Sequence, residues 1–536
     1  MTKMTPIESQ NVLPDDSGTK ETIRELSNAV DVKYSRKVKI LNAELEKIGY
    51  GRYQKRLFLF AGLAYCNNDS LIFATAACLP SIIAEWNPEH APMATLALNS
   101  GVLTGSIFWG IISDVYGRRQ TFNLTSCISS LCAILCGCSP SFPVFCIANS
   151  LIGFGIGGIL TMNAALFLES IQPSKQGMMM FLSIGFAAGT ALGTFSAWPL
   201  IKYFSCIDLP DHSLCTRKNN MGWRYLYFIL GTLDILSHNS TTGGLAICSF
   251  VIRIPCHHLL ETPKWLLSKD READMLIVLQ AMAKRNHTTS SLTLSDLQEK
   301  NSTLVEVASR NVSIPLPRLQ HKFKLIHSLF SSKQLGIFTL MITLIWGAIG
   351  LAYPLFNYFL PIYLGYVQIK ISLIANSSHQ RSSNNSSDAV SGEFAIITFV
   401  GIPASFLSVY LVSTSVGRRG VMSISAFCVG LFLILFTRAY DKASIMGLNC
   451  CICIFQTIVY GVLYSYTSEV FPAPIRGTGN GLVISFNRFC GLVAPLIASY
   501  TDLENNFPIF VSAGLFFASS ILLALLPFET RGTISL

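Results

Sequence analysis

Charge is scarce in this 536-residue chain: Asp, Glu, Lys and Arg together make up 13% of it. A soluble chain of this length carries about 25%. With 51% hydrophobic residues and a mean hydropathy of +0.48, the deficit points to lipid as the solvent for most of the chain. Other things are missing too. There is no Walker loop, no nucleophile elbow, and no cysteine spacing backed by histidine or carboxylate neighbours. These absences argue against a nucleotide-driven pump and an enzyme, and predict no cofactor and no metal. The formal charge of +9 comes without a nucleic-acid-binding motif, so no nucleic-acid partner is expected. Lys and Arg gather instead in cytoplasmic loops, because positive charge resists translocation. The first fifty residues have no apolar core followed by a small-residue cleavage site, so no cleaved signal peptide is expected.

The sixteen cysteines do not read as a scaffold. Many, such as Cys132, Cys136, Cys450 and Cys453, lie inside apolar runs, where cysteine is a small hydrophobe. Cys206 and Cys215 differ. They sit in a polar loop that the topology below places outside, where a bridge can form.

What is present is a series of apolar segments, each near the roughly 20 residues that span a bilayer. They fall at about 57–84, 94–113, 121–139, 142–167, 179–201 and 222–259, then at about 335–365, 394–413, 421–439, 445–467, 478–500 and 507–528. The expected organisation is a cytoplasmic tail over 1–56, disordered to about residue 34 and basic after it. A six-helix half follows over 57–263, a cytoplasmic central loop over 264–334, and a second six-helix half with a short cytoplasmic tail over 335–536. The basic lead-in over 35–56 suits the surface of the cytoplasmic leaflet or a solvated helix. The sixth segment is interrupted by Asp234, His238, Asn239 and Ser240. It reads as a crossing with an insertion, or as a broken helix lining a cavity.

The loops orient the chain. Arg118, Arg119, Arg418, Arg419, Arg476 and the basic central loop fall on one side if both termini are cytoplasmic. Lys202, Arg217, Lys218 and Arg224, in an outer loop, dissent. The sequons at Asn376, Asn384 and Asn385 fall outside and are candidates for glycosylation. Those at Asn286, Asn301 and Asn311 fall inside and are expected to stay bare.

One stretch organises the rest. Gly105 to Arg119 is an apolar run ending in Asp114, Gly117, Arg118 and Arg119. Gly417, Arg418 and Arg419 repeat its end 300 positions later. Glu169 returns as Glu469 at the same offset, each followed by a proline turn and a glycine. Three features at one offset argue for two homologous halves. Gly105–Arg119 resembles the loop motif between the second and third helices of the major facilitator superfamily. Glu261-Thr262-Pro263-Lys264 and Pro527-Phe528-Glu529-Thr530-Arg531-Gly532 resemble further motifs of that superfamily. Gly153-Phe154-Gly155-Ile156-Gly157-Gly158 and the lead-in Glu46–Gln54 resemble its synaptic-vesicle-related branch. The resemblance implies an all-α membrane protein with about twelve transmembrane helices in two pseudo-symmetric six-helix halves.

The chemistry expected is transport of a small solute by alternating access, with symport to protons as one form of it. Asp114, Gly117, Arg118, Arg119 and Glu169 form the candidate gate of the first half. Gly417, Arg418, Arg419, Glu469 and Arg476 form its counterpart. The copies are unequal, with Gln176 opposite Arg476 and Thr414 opposite Asp114. Charged residues inside a membrane are costly and default to function. Asp69 in the first segment and Arg488 in the eleventh are therefore the leading solute or proton groups. Asp69 suits a proton or a cation, Arg488 an anionic group. Asn163, Tyr353, Asn357 and Tyr464 are further candidates for the path. Gly185, Gly189 and Gly193 form a small-residue face for helix packing. Asn149 stands where related proteins carry an arginine, which keeps open a non-transporting sensor on the same scaffold. A sugar transporter is a second alternative, although the seventh segment lacks the glutamine-rich pattern of hexose carriers. A monomer in the plasma membrane is the default, with an internal membrane as the alternative.

Overall fold

The structure is a computed structural model, and it describes residues 32–206, 215–238, 259–298, 329–330, 333–360, 363–364, 386–414, 416–439, 441–471, 473–500 and 506–527. The first half contains α2 (Arg52–Trp86), α3 (Met93–Tyr116), α4 (Arg118–Gly137), α5 (Phe142–Ser170), α6 (Ser183–Phe204) and α7 (Gly222–His238), with a 3-10 helix at Pro173–Leu182 before α6. Four further helices are not among the candidate membrane spans: α1 (Val32–Ile48), α8 (Pro263–Ser268), α9 (Glu272–Asn286) and α10 (Leu294–Gln298). The second half contains α11 (Lys333–Asn357), α12 (Ser386–Phe399), α13 (Gly401–Ser413), α14 (Gly417–Phe436), α15 (Lys442–Val470), α16 (Ala473–Gly491), α17 (Val493–Tyr500) and α18 (Phe507–Ala524). No strand occurs among the described residues.

Each of the twelve apolar segments falls on a helix. Nine of the helices among the described residues are long and apolar enough to cross a membrane. Two segments are broken. The eighth splits at Val400 into α12 and α13, and the eleventh at Leu492 into α16 and α17. The sixth is helical to His238, and the interrupted part beyond it, 239–258, lies outside the described residues.

The pairings repeat as the sequence does. In the first half α3 packs on α5, α2 on α6, and α4 on both α5 and α7. In the second half α13 packs on α15, α11 on α16, and α14 on both α15 and α18. The halves meet along two seams, α6 against α12 and α3 against α16. Those seams exchange under the same two-fold relation.

Small residues make the tight pairings. A Cβ on Gly185, Gly189 or Gly193 would strike the α2 backbone at Gly62, Cys66 or Ser70. Across the equivalent pair, a Cβ on Gly350 would strike Asn487, whose side-chain amide donates to the Trp346 carbonyl at 2.7 Å. Backbone contact of this kind replaces hydrophobic driving force inside lipid. It also fixes α2 and α16, which carry Asp69 and Arg488.

The basic lead-in does not lie as an isolated helix. Helix α1 docks on α8 and α9, burying Leu41, Leu45 and Ile48 with Met275, Leu279 and Met282. Lys37 pairs with Glu272, Glu44 accepts from Ser290 Oγ (2.8 Å) and Ser291 N (3.0 Å), and Glu46 accepts from Ser174 N (2.8 Å). The apolar stripe Leu41, Leu45, Ile48 carries the correction: it needed a partner other than water, and the central loop supplies one. Asn286 is absorbed into the same cap. It accepts from Tyr53 N (3.0 Å) and donates to Gln54 Oε1 (2.8 Å).

The dissenting outer charge Arg224 is neutralised. It is buried and forms a forked pair with Glu85, at 2.6 and 2.8 Å, which also accepts from Trp223 and Asn220. Nearby, Cys206 and Cys215 are joined as a disulfide, with Cα atoms 5.6 Å apart. Asn376, Asn384 and Asn385 lie outside the described residues, as do Asn301 and Asn311.

Candidate functional site

Between the halves lies a cavity of about 1120 Å³, its open mouth included. Asp69 of α2 and Arg488 of α16 both line it, one from each half. Tyr353 and Asn357 of α11 and Tyr464 of α15 line it as well. The pinned helices explain the placement. Asp69 immediately precedes Ser70, against which Gly193 packs. Arg488 immediately follows Asn487, which is tied to α11.

Asn163 is not part of this wall. It is buried in α5 and donates to the Ala61 carbonyl at 2.7 Å, which makes it a packing residue between α5 and α2. Asn149 is likewise buried, donating to the Ala94 carbonyl at 2.9 Å.

Residues that sequence reading did not single out complete the wall: Asn99, Phe186, Thr190, Tyr358, Gln456 and Tyr460. Asn357 donates to Gln456 Oε1 at 2.9 Å, and no hydrogen bond engages Gln456 Nε2. A glutamine inside the apolar tenth segment was a readable signal, by the same cost argument that singled out Asp69. The aromatics carried none, since they are ordinary in a membrane helix.

Aromatic side chains bracket the cavity. On the side of the cap, Phe186 stacks on Tyr65 with ring centres 4.1 Å apart and lies 5.5 Å from Tyr464 of α15, in the other half. On the far side, Phe73 of α2 meets Tyr358 at 6.1 Å and Phe394 at 6.4 Å, again in the other half.

The other candidate cluster sits where α3 ends and α4 begins. Gly117 has φ +105°, a conformation that favours glycine, so the chain turns there in one residue. The turn exposes the first N–H groups of α4. Glu261 accepts them, from Arg118 N at 2.9 Å and Arg119 N at 3.3 Å. Burial pushes the Glu261 carboxyl above its usual range, against the pull of the N–H groups of Thr262, Arg119 and Arg118. Arg118 reaches Glu169 at 3.5 Å and donates to Ser113 Oγ at 2.9 Å, and Thr262 Oγ1 donates to the same Glu169 at 2.6 Å. So Gly117, Arg118, Arg119 and Glu169 are brought together, with Glu261 and Thr262 as members that the repeat did not reveal. These bonds all lie within the first half.

In the second half Gly417 also has a positive φ, +71°, at the start of α14. Arg419 donates to the Leu526 carbonyl at 2.7 Å, and Arg418 lies beside it at the start of α14. The side chains of Asp114, Gln176, Glu469 and Arg476 lie outside those described.

A sequence model of the Major Facilitator Superfamily matches residues 57–495. The chain belongs to that superfamily. It is a multi-pass integral membrane protein, and the facilitator relatives it matches are transporters. It is 34% identical to MFS siderochrome iron transporter 1 of Ceriporiopsis subvermispora, over 95% of this chain and 93% of that one. It is 22% identical to the synaptic vesicle 2-related protein of Xenopus laevis, over 91% and 80% of the two chains. Among solved structures, the proton:xylose symporter XylE of E. coli superposes with a TM-score of 0.61 at 14% identity, over 90% of this chain and 98% of that one. That likeness concerns the fold.

Proposed function

We propose that this facilitator is a secondary active transporter that binds a small solute in the cavity between its halves and releases it by alternating access. The observation that carries the reading is the cavity itself, walled by both halves and furnished with one acidic and one basic side chain. A facilitator that rocks about its two seams exposes such a cavity to each side of the membrane in turn. The aromatic contacts between the halves, Phe186 with Tyr464 and Phe73 with Tyr358, are suited to open one at a time. The cluster around Gly117, Arg118, Arg119, Glu169 and Glu261 stiffens the cytoplasmic end of the first half. Gly417, Arg418, Arg419, Glu469 and Arg476 are its proposed counterpart in an inner gate. Asp69 is the candidate for proton coupling. The termini are assigned to the cytoplasm, the chain to the plasma membrane, and the functional unit to a monomer.

Flux of a solute panel into proteoliposomes at two pH values tests this, using wild type, Asp69→Asn and Arg488→Ala. Loss of flux in either variant with retained folding is expected. Unchanged flux in both removes the cavity assignment. A second reading, a sensor on the same scaffold, draws on Asn149, which is buried and bonded to backbone. Ligand binding with no flux selects it.

A further inference from the structure

Asp69 and Arg488 share a cavity, yet among the described residues no ion pair joins them or either of them to another side chain. Arg488 Nε is buried without a hydrogen-bond partner, and the Tyr464 hydroxyl lies beside the guanidinium. Within a membrane, charged groups normally pair with one another or with backbone carbonyls, because leaving one uncompensated is costly. Here two opposite charges are held apart by helices fixed to different partners, α2 against α6 and α16 against α11.

We propose that the solute is a small zwitterion whose carboxylate meets Arg488 and whose cationic end meets Asp69. This rests on the transporter reading and narrows it. Specificity follows from the penalty on partial matches. A singly charged solute answers one buried charge and leaves the other unanswered in a site it has just dried. The Tyr353 and Tyr460 rings, which also line the cavity, add favourable faces for the cationic end. Because Asp69 belongs to one half and Arg488 to the other, a zwitterion also bridges the halves. Binding and the approach of the halves then become one event.

The test uses the full chain in lipid nanodiscs and isothermal titration with three matched probe sets. One is the ω-amino acids from glycine to 6-aminohexanoate. The others are the corresponding alkylammonium ions and the corresponding alkanoates. At least one ω-amino acid is expected to bind tenfold or more tighter than both of its singly charged counterparts. Asp69→Asn is expected to abolish the advantage over the alkanoate, and Arg488→Ala the advantage over the alkylammonium. Arg488→Lys, which keeps the charge, guards against a misfolded Arg488→Ala and is expected to keep part of the preference. Alkanoates or alkylammonium ions binding as tightly as every ω-amino acid overturn the proposal, as does no binding across all three sets. Neither result touches the transporter reading if the proteoliposome panel shows flux of another solute through wild type that Asp69→Asn or Arg488→Ala abolishes. A preference for ω-amino acids that survives both Asp69→Asn and Arg488→Ala also overturns the assignment.

Discussion

The Arg118 amide donates to Glu261 Oε1 at 2.9 Å, joining residues 143 positions apart in the chain. A helix start buried at a turn needs an acceptor for its first N–H groups, and Gly117, at the cap position of α4, has no side chain to supply it. The carboxylate that closes the first half does. The start of α4 and the end of that half are therefore one structural joint.

Removing that acceptor has a size that can be stated. Glu261→Ala strips the cap from α4 and is expected to cost about 0.5–2 kcal/mol, as helix caps do. Gly117→Ala is expected to cost more, since it adds a backbone strain at φ +105° and a Cβ about 2.5 Å from Glu261 Oε2. Thermal unfolding of the purified variants in detergent ranks the two. Equal melting temperatures for wild type and Glu261→Ala would show the cap to be idle.

The buried pair Glu85–Arg224 makes a sharper prediction. Arg224→Ala leaves Glu85 charged and buried alone, at a cost of about 3–5 kcal/mol. The double variant Glu85→Leu with Arg224→Met removes both charges and is expected to regain most of that loss. The same unfolding measurement on single and double variants decides it. A double variant no better than the single one would mean the pair is net stabilising in itself.

Close packing of α2 on α6 is expected to tolerate no side chain at Gly189. Gly189→Val drives a branched side chain into the Cys66 carbonyl, forces the helices apart and costs at least about 1–3 kcal/mol. Gly514→Ala, where a Cβ meets nothing within 4 Å, is the neutral control. The yield of monodisperse protein on size exclusion reads both.

The docking of α1 is expected to depend on pH. Burial raises the Glu44 carboxyl, but hydrogen bonds from Ser290, Lys47 and Ser291 outweigh it, so its folded value lies below the ordinary 4.5. A lowered carboxyl contributes its stability above 4.5 and loses it as pH falls through the lowered value. Hydrogen exchange of the α1 amides is therefore expected to be flat from pH 7 to 5, after correction for intrinsic rates, and to accelerate below about 4.5. Glu44→Gln is expected to flatten that acid limb.

Much of this was legible in the chain. Hydropathy placed apolar segments where the described helices lie, nine of them long and apolar enough to cross a membrane, and the offset between Arg118 and Arg418 pointed to two halves. Asp69 and Arg488 stood out because charge is rare in apolar runs. Other features were not legible, for physical reasons. Asn163 and Gln456 are both polar and both intramembrane, and only the direction each faces separates a packing amide from a cavity amide. Glu261 belonged to a visible motif, but its partner lies 143 positions away in sequence. The fate of α1 depended on an apolar stripe within a charged segment, which net charge concealed.

The cap has a practical consequence. Its main contacts run to the first half: α9 touches α2, α8 touches α5, and α1 holds the 3-10 helix at Ser174. It is thus a rigid handle on the first half, one of the two bodies that the proposed alternating access turns against each other. A fluorophore on the exposed face of α9 and a second at Leu525, past the end of α18, form a ruler whose length changes only when one body turns against the other.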